Sequence, residues 1–593
     1  MPPPLNNRKR FSLLLIKPSH YDDQGYVIQW LRSAIPSNTL AVMNGLGLDC
    51  KERQVLGEDV DIDVTAMDET NTRIRPERIA RQMGEGRGLV ALVGVQSNQY
   101  PRAMDIARRL RAAGVQVCIG GFHVSGILSM LHKPTPELQE AMDLGISLFA
   151  GEAEGRFDGV LQDAWNGTLK PLYNYMDDLP SLDGATLPIL PALQIKRTGG
   201  HLTSFDAGRG CPFLCSFCTI INVQGRKSRR RSVDDVEQII RANIAQGVDR
   251  FFITDDNFAR NTDWERIFDR LIDLRENKKL NIKFVIQVDT MCYRLPHFIE
   301  KAKRAGVVRV FVGLESINPD SLLASRKKQN KITEYRKMLL QWKHAGVHVF
   351  AGYILGFPGD TPETILRDIK IIQRELPVDL VQFSCMTPLP GSEDHQKLYN
   401  AGVAMDPDLN KYDVEHVTTA HGNMSKEQWE KAYQDAWATY YTPEHLETVM
   451  RREAATGGSA GKVLTLLMWS YASVVLEGLH PYQGGYLRRK YRKDRRPELP
   501  VESPLLFYPR YVSNVIYKQY KLGREVLRYY GLARRLRRDP TARDYMDVAL
   551  TPVVDDDFDS LEMFKTSDAA KSAAMKVRGH APAPQSDLVK IGG

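Results

Sequence analysis

The chain has 593 residues, of which 43% are hydrophobic and 26% charged, a composition typical of a globular protein with about three or four domains. Its seven cysteines form no disulfide-like framework, which indicates a reducing, cytoplasmic compartment. No signal-peptide core and no apolar run of transmembrane length is found, so neither secretion nor a membrane span is expected. The net charge of +8 is concentrated at residues 226–231 and 488–538.

The first region alternates short apolar runs with helical patterns, after a tail at residues 1–10. Between the runs, residues 101–113 carry Ala, Ile and Leu at helical spacing with Arg on the other face. Strand, helix, strand order predicts a parallel sheet with helices on both faces, a Rossmann-like domain over residues 11–165. The predicted strands are residues 11–16, 62–67, 89–95, 115–119 and 146–150.

Ligands of such a sheet bind beyond the carboxyl ends of its strands. Ser97 follows one predicted strand, and Gly120, Gly121 and His123 follow another, where paired glycines let a ligand approach the backbone. With the Gly-Glu-Ala-Glu turn at 151–154, this arrangement resembles the cobalamin-binding domains that precede many radical enzymes. The resemblance implies that these residues bind cobalamin, whereas a domain that packs without cofactor, with a satisfied loop histidine, is the alternative.

The loop after the first strand departs from that family. Cobalamin domains that ligate cobalt carry Asp-x-His-x-x-Gly there, whereas residues 17–25 read Lys-Pro-Ser-His-Tyr-Asp-Asp-Gln-Gly. We therefore do not expect His20 to ligate cobalt.

Three thiols lie close together after a predicted linker. Residues 166–199 are rich in proline, which predicts an extended connection. Cys211, Cys215 and Cys218 follow with the spacing C-x3-C-x2-C. Soft sulfur ligands favour zinc, copper(I) or an iron–sulfur cluster; zinc would need a fourth ligand, for which His201 is the only neighbour. An iron–sulfur cluster would leave one iron open to a small molecule, and a structural metal knuckle or an unmetallated loop is the alternative.

The cysteine loop resembles the signature of the radical S-adenosylmethionine (SAM) enzymes, and Phe217, the aromatic before the last cysteine, also matches that pattern. The resemblance implies a [4Fe–4S] cluster on Cys211, Cys215 and Cys218, with the methionyl end of SAM on the fourth iron. It further implies reductive cleavage of SAM to a 5′-deoxyadenosyl radical, with electrons from a reductant such as flavodoxin or ferredoxin.

The strand–helix alternation continues after the loop, with a helix N-cap expected at Ser232. Six such units predict a partial (β/α)6 barrel of the TIM type over residues 200–400, with its reactive residues at the carboxyl ends of the strands. This expectation agrees with the resemblance. The predicted strands are residues 202–205, 251–254, 283–288, 309–314, 348–355 and 380–385.

Polar side chains at these strand ends are candidates for binding SAM. Asp255 or Asp256 stands where most of the family has Gly-Gly-Glu, and supplies an anionic acceptor for the amino group of SAM. Gln287 and Asp289 are suited to ribose hydroxyls, and Glu315 is a further expected contact. Each single acid has the alternative role of capping the next helix.

Two glycines and two cysteines complete the candidates of this region. Gly352 and Gly356 resemble the adenine-contacting fifth strand of these enzymes, although glycine in a strand can also mark a bend. Cys385, or Cys292, is placed to donate a hydrogen atom to a substrate radical, and inert burial is the alternative.

Beyond residue 400 the pattern changes to helices rich in Tyr, Arg and Leu. This predicts a mostly α-helical, basic region over residues 401–550 and a disordered tail at 551–593. The apolar run 462–477, followed by the basic and aromatic run 486–496, suits a segment at an anionic membrane surface. A buried helix beside a solvated loop is the alternative.

Together these patterns predict an α/β radical SAM enzyme that methylates an unactivated carbon of a small or lipid-like substrate with the help of cobalamin. Without cobalamin, the same barrel would perform oxidation, cyclisation or rearrangement. An RNA methylthiotransferase needs a second cluster on N-terminal cysteines, where only Cys50 and Cys118 occur, so no nucleic-acid partner is expected. A non-catalytic iron–sulfur protein would leave the strand-end acids without a purpose.

Overall fold

The computed structural model describes residues 9–83, 87–554 and 557–578. It begins with a six-stranded sheet whose neighbouring strands are all parallel. In spatial order its strands are Val60–Asp68, Lys9–Lys17, Arg87–Leu92, Gln116–Gly120, Ser147–Ala150 and Leu172–Asn174. The helices that connect them are Asn38–Glu52, Pro76–Met83, Tyr100–Ala112, Phe122–Leu131, Pro136–Asp143 and Phe157–Asn166.

Both faces of this first sheet are covered. Along the strand Lys9–Lys17, Phe11 and Leu13 pack into one buried cluster, whereas Leu14 and Ile16 pack into another, because successive side chains of a strand point to opposite faces. The expectation of a parallel sheet between two helical layers is therefore confirmed.

A correction concerns the predicted linker. Residues 166–199 contain the edge strand Leu172–Asn174 and the short helix Ala192–Ile195. The strand pairs with Ser147–Ala150, so this segment belongs partly to the first sheet. Three residues are too few to produce a readable period, and the prolines around them concealed the strand.

A second six-stranded parallel sheet follows, with its strands adjacent in chain order. They are Leu202–Phe205, Arg250–Ile253, Lys283–Val288, Val307–Glu315, His348–Leu355 and Leu380–Cys385. The intervening helices are Val233–Ala245, Trp264–Glu276, Phe298–Ala305, Pro319–Ala324, Tyr335–His344 and Pro362–Glu375. Ser232 caps the first of these helices as predicted, since its hydroxyl accepts a hydrogen bond from the Asp235 N–H. Closure into a partial barrel and the domain boundaries stay predictions.

The C-terminal region is mostly helical and packs on the second sheet. Its helices are Glu393–Asn400, Lys426–Tyr440, Pro443–Ala455, Ala460–Tyr471, Pro504–Arg538 and Asp568–Arg578. Its strand Gly485–Arg489 pairs antiparallel with Gln29–Ser33, and this two-stranded ribbon joins the C-terminal region to the N-terminal region.

The predicted disordered tail is wrong for residues 557–578. Leu561, Met563 and Phe564 are buried in the core of the second sheet, and Glu375 accepts hydrogen bonds from the backbone N–H groups of Glu562 and Met563. Tertiary burial gives this segment an order that its composition does not indicate. Residues 579–593, and residues 1–8 of the predicted N-terminal tail, lie outside the described residues.

The apolar run 462–477 forms the helix Ala460–Tyr471 and one further π-helical turn. Val463, Leu464 and Leu467 of this helix are buried against neighbouring helices. The buried-helix alternative therefore describes it. Among the described residues, no helix combines the length and the apolar character that crossing a membrane requires.

Candidate active site

The cysteine loop lies at the carboxyl end of the first strand of the second sheet. Gly210 enters it with φ +91°, and a Cβ there would lie 2.5 Å from the carbonyl oxygen of Lys227, so only glycine fits. Cys211 N–H donates to the Gly225 carbonyl at 3.2 Å, and Ser216 N–H donates to that of Ser325 at 3.0 Å. Backbone hydrogen bonds thus fix the loop at both ends.

All three thiols are free, with Cys215 buried and Cys211 and Cys218 half-buried. Burial raises the pKa of Cys218 to about 12 and also raises that of Cys211. Iron coordination would therefore have to displace their protons. The side-chain amide of Gln329 donates to Cys215 Sγ at 3.5 Å, a contact of the kind that tunes an iron–sulfur cluster.

Among residues 9–83, 87–554 and 557–578, no three His, Cys, Asp or Glu side chains converge on one ion position. A [4Fe–4S] cluster does not need such convergence, because each protein ligand binds a different iron atom. Three free thiols on one fixed loop fit that ligand set.

The two acids after the second strand differ in role. Asp255 Oδ1 accepts from the backbone N–H groups of Ala207 and Gly208, at 2.7 and 2.8 Å, and its other oxygen accepts from Asn261 at 3.0 Å. Asp255 therefore holds the start of the cysteine loop. Asp256 is half-buried and accepts one hydrogen bond from Gly210 N–H at 3.3 Å. Burial raises the pKa of both carboxyls to about 7.

Arg260 links Asp289, at the end of the strand Lys283–Val288, to the cysteine loop. Asp289 accepts from Arg260 Nε at 2.6 Å and Nη2 at 2.9 Å, and the Arg260 guanidinium lies 5.4 Å from the ring centroid of Phe213. Gln287 donates to the Asp255 carbonyl at 3.3 Å. Their expected role at ribose hydroxyls stays a prediction.

Glu315 ends the fourth strand with φ +62°, at an irregularity in the pairing with the next strand. Its carboxylate forms an ion pair with the buried Lys327, whose ammonium lies 5.8 Å from the centroid of the Phe217 ring. Glu315 and Phe217 thus meet the same lysine, and Lys327 was missed because nothing in its local sequence marks it.

The two glycines of the fifth strand accommodate aromatic side chains of the protein. A Cβ on Gly352 would lie 2.7 Å from the Phe311 ring, and one on Gly356 would lie 1.9 Å from the Trp429 ring. Gly356 also has φ +103°. These contacts give a packing reason for both glycines, and adenine binding stays a prediction.

Cys385 is buried in the core, where its thiol donates to the Glu415 carbonyl at 3.5 Å. Burial raises its pKa well above the ordinary thiol value. Its expected role as a hydrogen-atom donor stays a prediction.

Two adjoining cavities lie beyond the carboxyl ends of the first sheet. The central cavity, about 530 Å³, is bounded by His20 and Ser97 of the first sheet, by Thr219 and Ile220 directly after Cys218, and by other segments described below. The inner cavity, about 140 Å³, is lined by Gly120, Gly121 and mainly apolar neighbours. Both cavities share the walls Asn38, Thr39, Gly94 and Phe122.

The residues predicted to bind cobalamin do not all line the same cavity. Ser97 lines the central cavity, whereas Gly120 and Gly121 line the inner one. Gly121 has φ +148°, and a Cβ there would lie 2.2 Å from Val95 N. His123 is fully buried and shares a 3.1 Å hydrogen bond with Ser97 Oγ. Burial lowers the pKa of His123 to about 3, and among the described residues its buried Nε2 has no hydrogen-bond partner, so its expected role at cobalamin stays a prediction.

His20 lies in the wall of the central cavity and bonds across the ribbon. Its Nε2 lies 2.8 Å from Oε1 of Gln483, and because an amide oxygen only accepts, that nitrogen carries a proton. Burial lowers the pKa of His20 to about 4. The expectation that His20 does not ligate cobalt stays a prediction.

The C-terminal region supplies the remaining wall of the central cavity. Its residues are Tyr412, Asp413, Val414, His480, Tyr482, Gln483 and Gly484. Sequence reasoning missed all of them. His480, Tyr482, Gln483 and Gly484 directly precede the strand that pairs with Gln29–Ser33, and Val414 accepts a hydrogen bond from Cys385 N–H, and neither long-range contact leaves a local signal.

A buried ionic cluster joins the turn 151–154 to the cysteine loop. Arg209 donates to Glu152 at 2.7 Å, to Glu154 at 2.7 Å and to Asp206 at 3.0 Å. All four side chains are less than a tenth exposed. Arg229 also pairs with Glu152. The sequence marked the turn but not its partner, which lies two residues before Cys211.

Comparison with known proteins agrees with this geometry. Residues 207–372 match the model of the radical SAM superfamily. Over 364 residues, the chain is 26% identical to the bacteriochlorophyllide d C-12(1)-methyltransferase of Chlorobaculum tepidum, which covers 60% of this chain and 74% of the relative. Over 354 residues, it is 23% identical to the hopanoid C-2 methylase of Rhodopseudomonas palustris, covering 59% and 63% respectively.

The fold is also similar to a solved structure, that of the radical SAM methyltransferase TsrM from Kitasatospora setae with cobalamin and a [4Fe–4S] cluster bound. The TM-score is 0.53 at 16% identity, and the match covers 74% of this chain and 90% of TsrM.

Proposed function

The chain is a radical SAM enzyme, and we propose that it is a cobalamin-dependent methyltransferase acting on an unactivated carbon of a small or lipid-like substrate. The observation that carries the proposal is the central cavity. Its walls come from the strand ends of the first sheet, from the residues directly after Cys218 and from Leu389 and Pro390 after the last strand. A cofactor of the first sheet and a cluster on the cysteine loop would therefore face one space.

The relatives support the methylation part of the proposal. Both relatives above are C-methylating enzymes by name, one of bacteriochlorophyllide d and the other of a hopanoid. When bound to this chain, cobalamin would supply the methyl group that the proposed reaction transfers. The glycine-lined strand ends suit a cofactor that needs close contact with the backbone, and the inner cavity, about 140 Å³, would take only an apolar part of it.

Individual residues have defined tasks in the proposal. Cys211, Cys215 and Cys218 hold the cluster. Asp256 binds the SAM ammonium, because its carboxylate has spare acceptor capacity beside the loop, whereas Asp255 is occupied by backbone donors. Glu315, held by Lys327, is a further contact to SAM. The predicted roles of Gln287, Gly352 and Gly356 are retained.

Anaerobic reconstitution with iron, sulfide and hydroxocobalamin tests the proposal. We expect stoichiometric [4Fe–4S] and cobalamin and, with SAM and dithionite, 5′-deoxyadenosine. Cys215→Ala should lose both iron and 5′-deoxyadenosine, whereas Cys292→Ala, which alters a buried cysteine outside the loop, should keep both. Iron without 5′-deoxyadenosine formation would overturn the enzyme function. Formation of a reaction product by protein that holds no cobalamin would support oxidation, cyclisation or rearrangement in place of methylation.

A further inference from the structure

The longest helix of the protein, Pro504–Arg538, packs on the body of the protein through one face only. Its buried side chains include Phe507, Tyr529, Leu532 and Leu536, and the last three join the core formed with the helix Ala460–Tyr471. With 35 residues, the helix is about 50 Å long. The opposite face is open along this whole length.

That open face is apolar and aromatic rather than polar. Besides Leu506 and Tyr517 at its edge, the large exposed side chains of this face are Leu505, Tyr508, Val512, Ile516, Tyr520, Leu527 and Tyr530. Successive members of these last seven are three, four or seven residues apart, so they form one stripe along the helix. Leu505 is 84% exposed, Leu527 72% and Tyr520 66%. A continuous stripe of this kind marks an interaction surface, whereas scattered exposed apolar residues do not.

A basic row runs along one edge of the stripe. Arg510, Arg524, Arg528 and Arg535 are separated by 14, four and seven residues, each close to a whole number of turns. The helix carries nine Lys or Arg residues and one acid, Glu525. Because two copies of this face would bring like charges together, the charge favours an anionic partner over a second copy of the chain.

We propose that the exposed face of the helix Pro504–Arg538 docks on an anionic membrane surface. Leu, Ile, Val and Tyr side chains would enter the headgroup boundary while the arginine row contacts lipid phosphates. The proposal identifies a different segment from the run 462–477 that the sequence indicated, because that run is buried. It extends the lipid-like-substrate part of the proposed function, but the docking itself does not depend on catalysis.

Two grooves beside the helix fit the same surface. One, about 360 Å³, combines Tyr26, Lys490, Arg510 and Ser513; Lys490 pairs with Asp22 and Arg510 with Glu502, so a phosphate headgroup there would compete with these carboxylates. The other, about 150 Å³, is mainly apolar and is lined by Trp30, Met468, Leu476 and neighbouring side chains. Both grooves lie next to the two-stranded ribbon. Gln483 and Gly484, directly before its second strand, line the central cavity.

Co-sedimentation of the full-length protein with phosphatidylglycerol and phosphatidylcholine vesicles tests the proposal. We expect binding to the anionic vesicles only, and release by high salt. The triple variant Arg524→Gln, Arg528→Gln, Arg535→Gln should bind about a hundredfold more weakly, at about fivefold per charge. Ile516→Ser with Leu527→Ser should reduce binding at least about tenfold, although these exposed side chains leave the core intact.

The matched control removes three exposed arginines elsewhere, Arg241→Gln, Arg266→Gln and Arg304→Gln, and should bind like the wild type. Equal binding to both lipids, or equal loss in the control, would overturn the proposal. So would a dimer that Leu527→Ser disperses, because a second copy would then cover the stripe. 5′-Deoxyadenosine formation without vesicles should be unchanged in every variant, so failure of docking and failure of the proposed function are distinguishable.

Discussion

Replacing Arg209 by Met should destabilise the contact between the two sheets far more than an ordinary surface substitution. The change removes the cation that Glu152, Glu154 and Asp206 share. Glu152 keeps Arg229 and Asp206 keeps Arg231 at 3.4 Å. Within the described part of the chain, Glu154 has no second cation at ion-pair distance, so its buried charge would be left uncompensated.

The magnitude follows from that burial. Breaking a buried ion pair by removing one partner costs about 3–5 kcal/mol, because the remaining charge is desolvated and unpaired. Arg230 is the matched control: it lies on the strand Arg229–Arg230, which pairs antiparallel with Gly208–Arg209, is half-exposed and pairs with Asp263 at 2.6 Å. Arg230→Met should cost about 1 kcal/mol or less.

Equilibrium urea unfolding of the iron-loaded protein, followed by circular dichroism, measures both variants. Adding Glu154→Gln to Arg209→Met should recover part of the lost free energy of unfolding, because it removes the unpaired charge. Equal unfolding midpoints for Arg209→Met and Arg230→Met would refute the reasoning. So would a double variant less stable than Arg209→Met alone.

Three further changes test other parts of the structure. Asp256→Asn should weaken SAM binding about tenfold to a hundredfold in equilibrium dialysis, through loss of a charged hydrogen bond; unchanged binding would remove Asp256 from the site. Gly126→Ala would bring a Cβ within 2.4 Å of a carbonyl in the loop after the last strand and should cost about 1–3 kcal/mol in urea unfolding, whereas Gly159→Ala, in open space, should not destabilise. Burial lowers the pKa of His416, but Asp23 and Asp413 outweigh burial and raise it to about 10. Because this pKa exceeds the unfolded value of about 6.5, the contribution of His416 to stability is complete below pH 6.5 and is lost as the pH rises through 10. The urea midpoint of the wild type should therefore fall more between these pH values than that of His416→Asn, and parallel profiles would contradict the assignment.

The parts of the fold that the sequence predicted are those with a strong local signal. Buried parallel strands such as His348–Leu355 are apolar runs bounded by turns, and Ser232 heads its helix with acidic residues in the first turn. The spacing of the three cysteines similarly indicated the family from the sequence alone. Each of these features lies within a dozen residues of sequence.

The features that were missed depend on contacts distant in sequence. The pairing of Gln29–Ser33 with Gly485–Arg489 spans most of the chain, and local periodicity cannot select one partner for an edge strand. The segment 557–578 is ordered by burial against the second sheet, which composition does not reveal. Lys327 reaches Glu315 and Phe217 only in the folded chain.

The same distinction applies to the ionic cluster around Arg209, which connects the two proposed cofactor sites. The cysteine loop and the turn 151–154 each fold by local rules, but neither determines its position relative to the other. Arg209 is two residues before Cys211, and Glu152 and Glu154 follow the strand Ser147–Ala150. Because reacting groups displaced by even about 1 Å lose much of their rate advantage, this cluster is a positioning device for the proposed reaction. Arg209→Met should accordingly lower methyl transfer more than 5′-deoxyadenosine formation, since only methyl transfer requires both sheets.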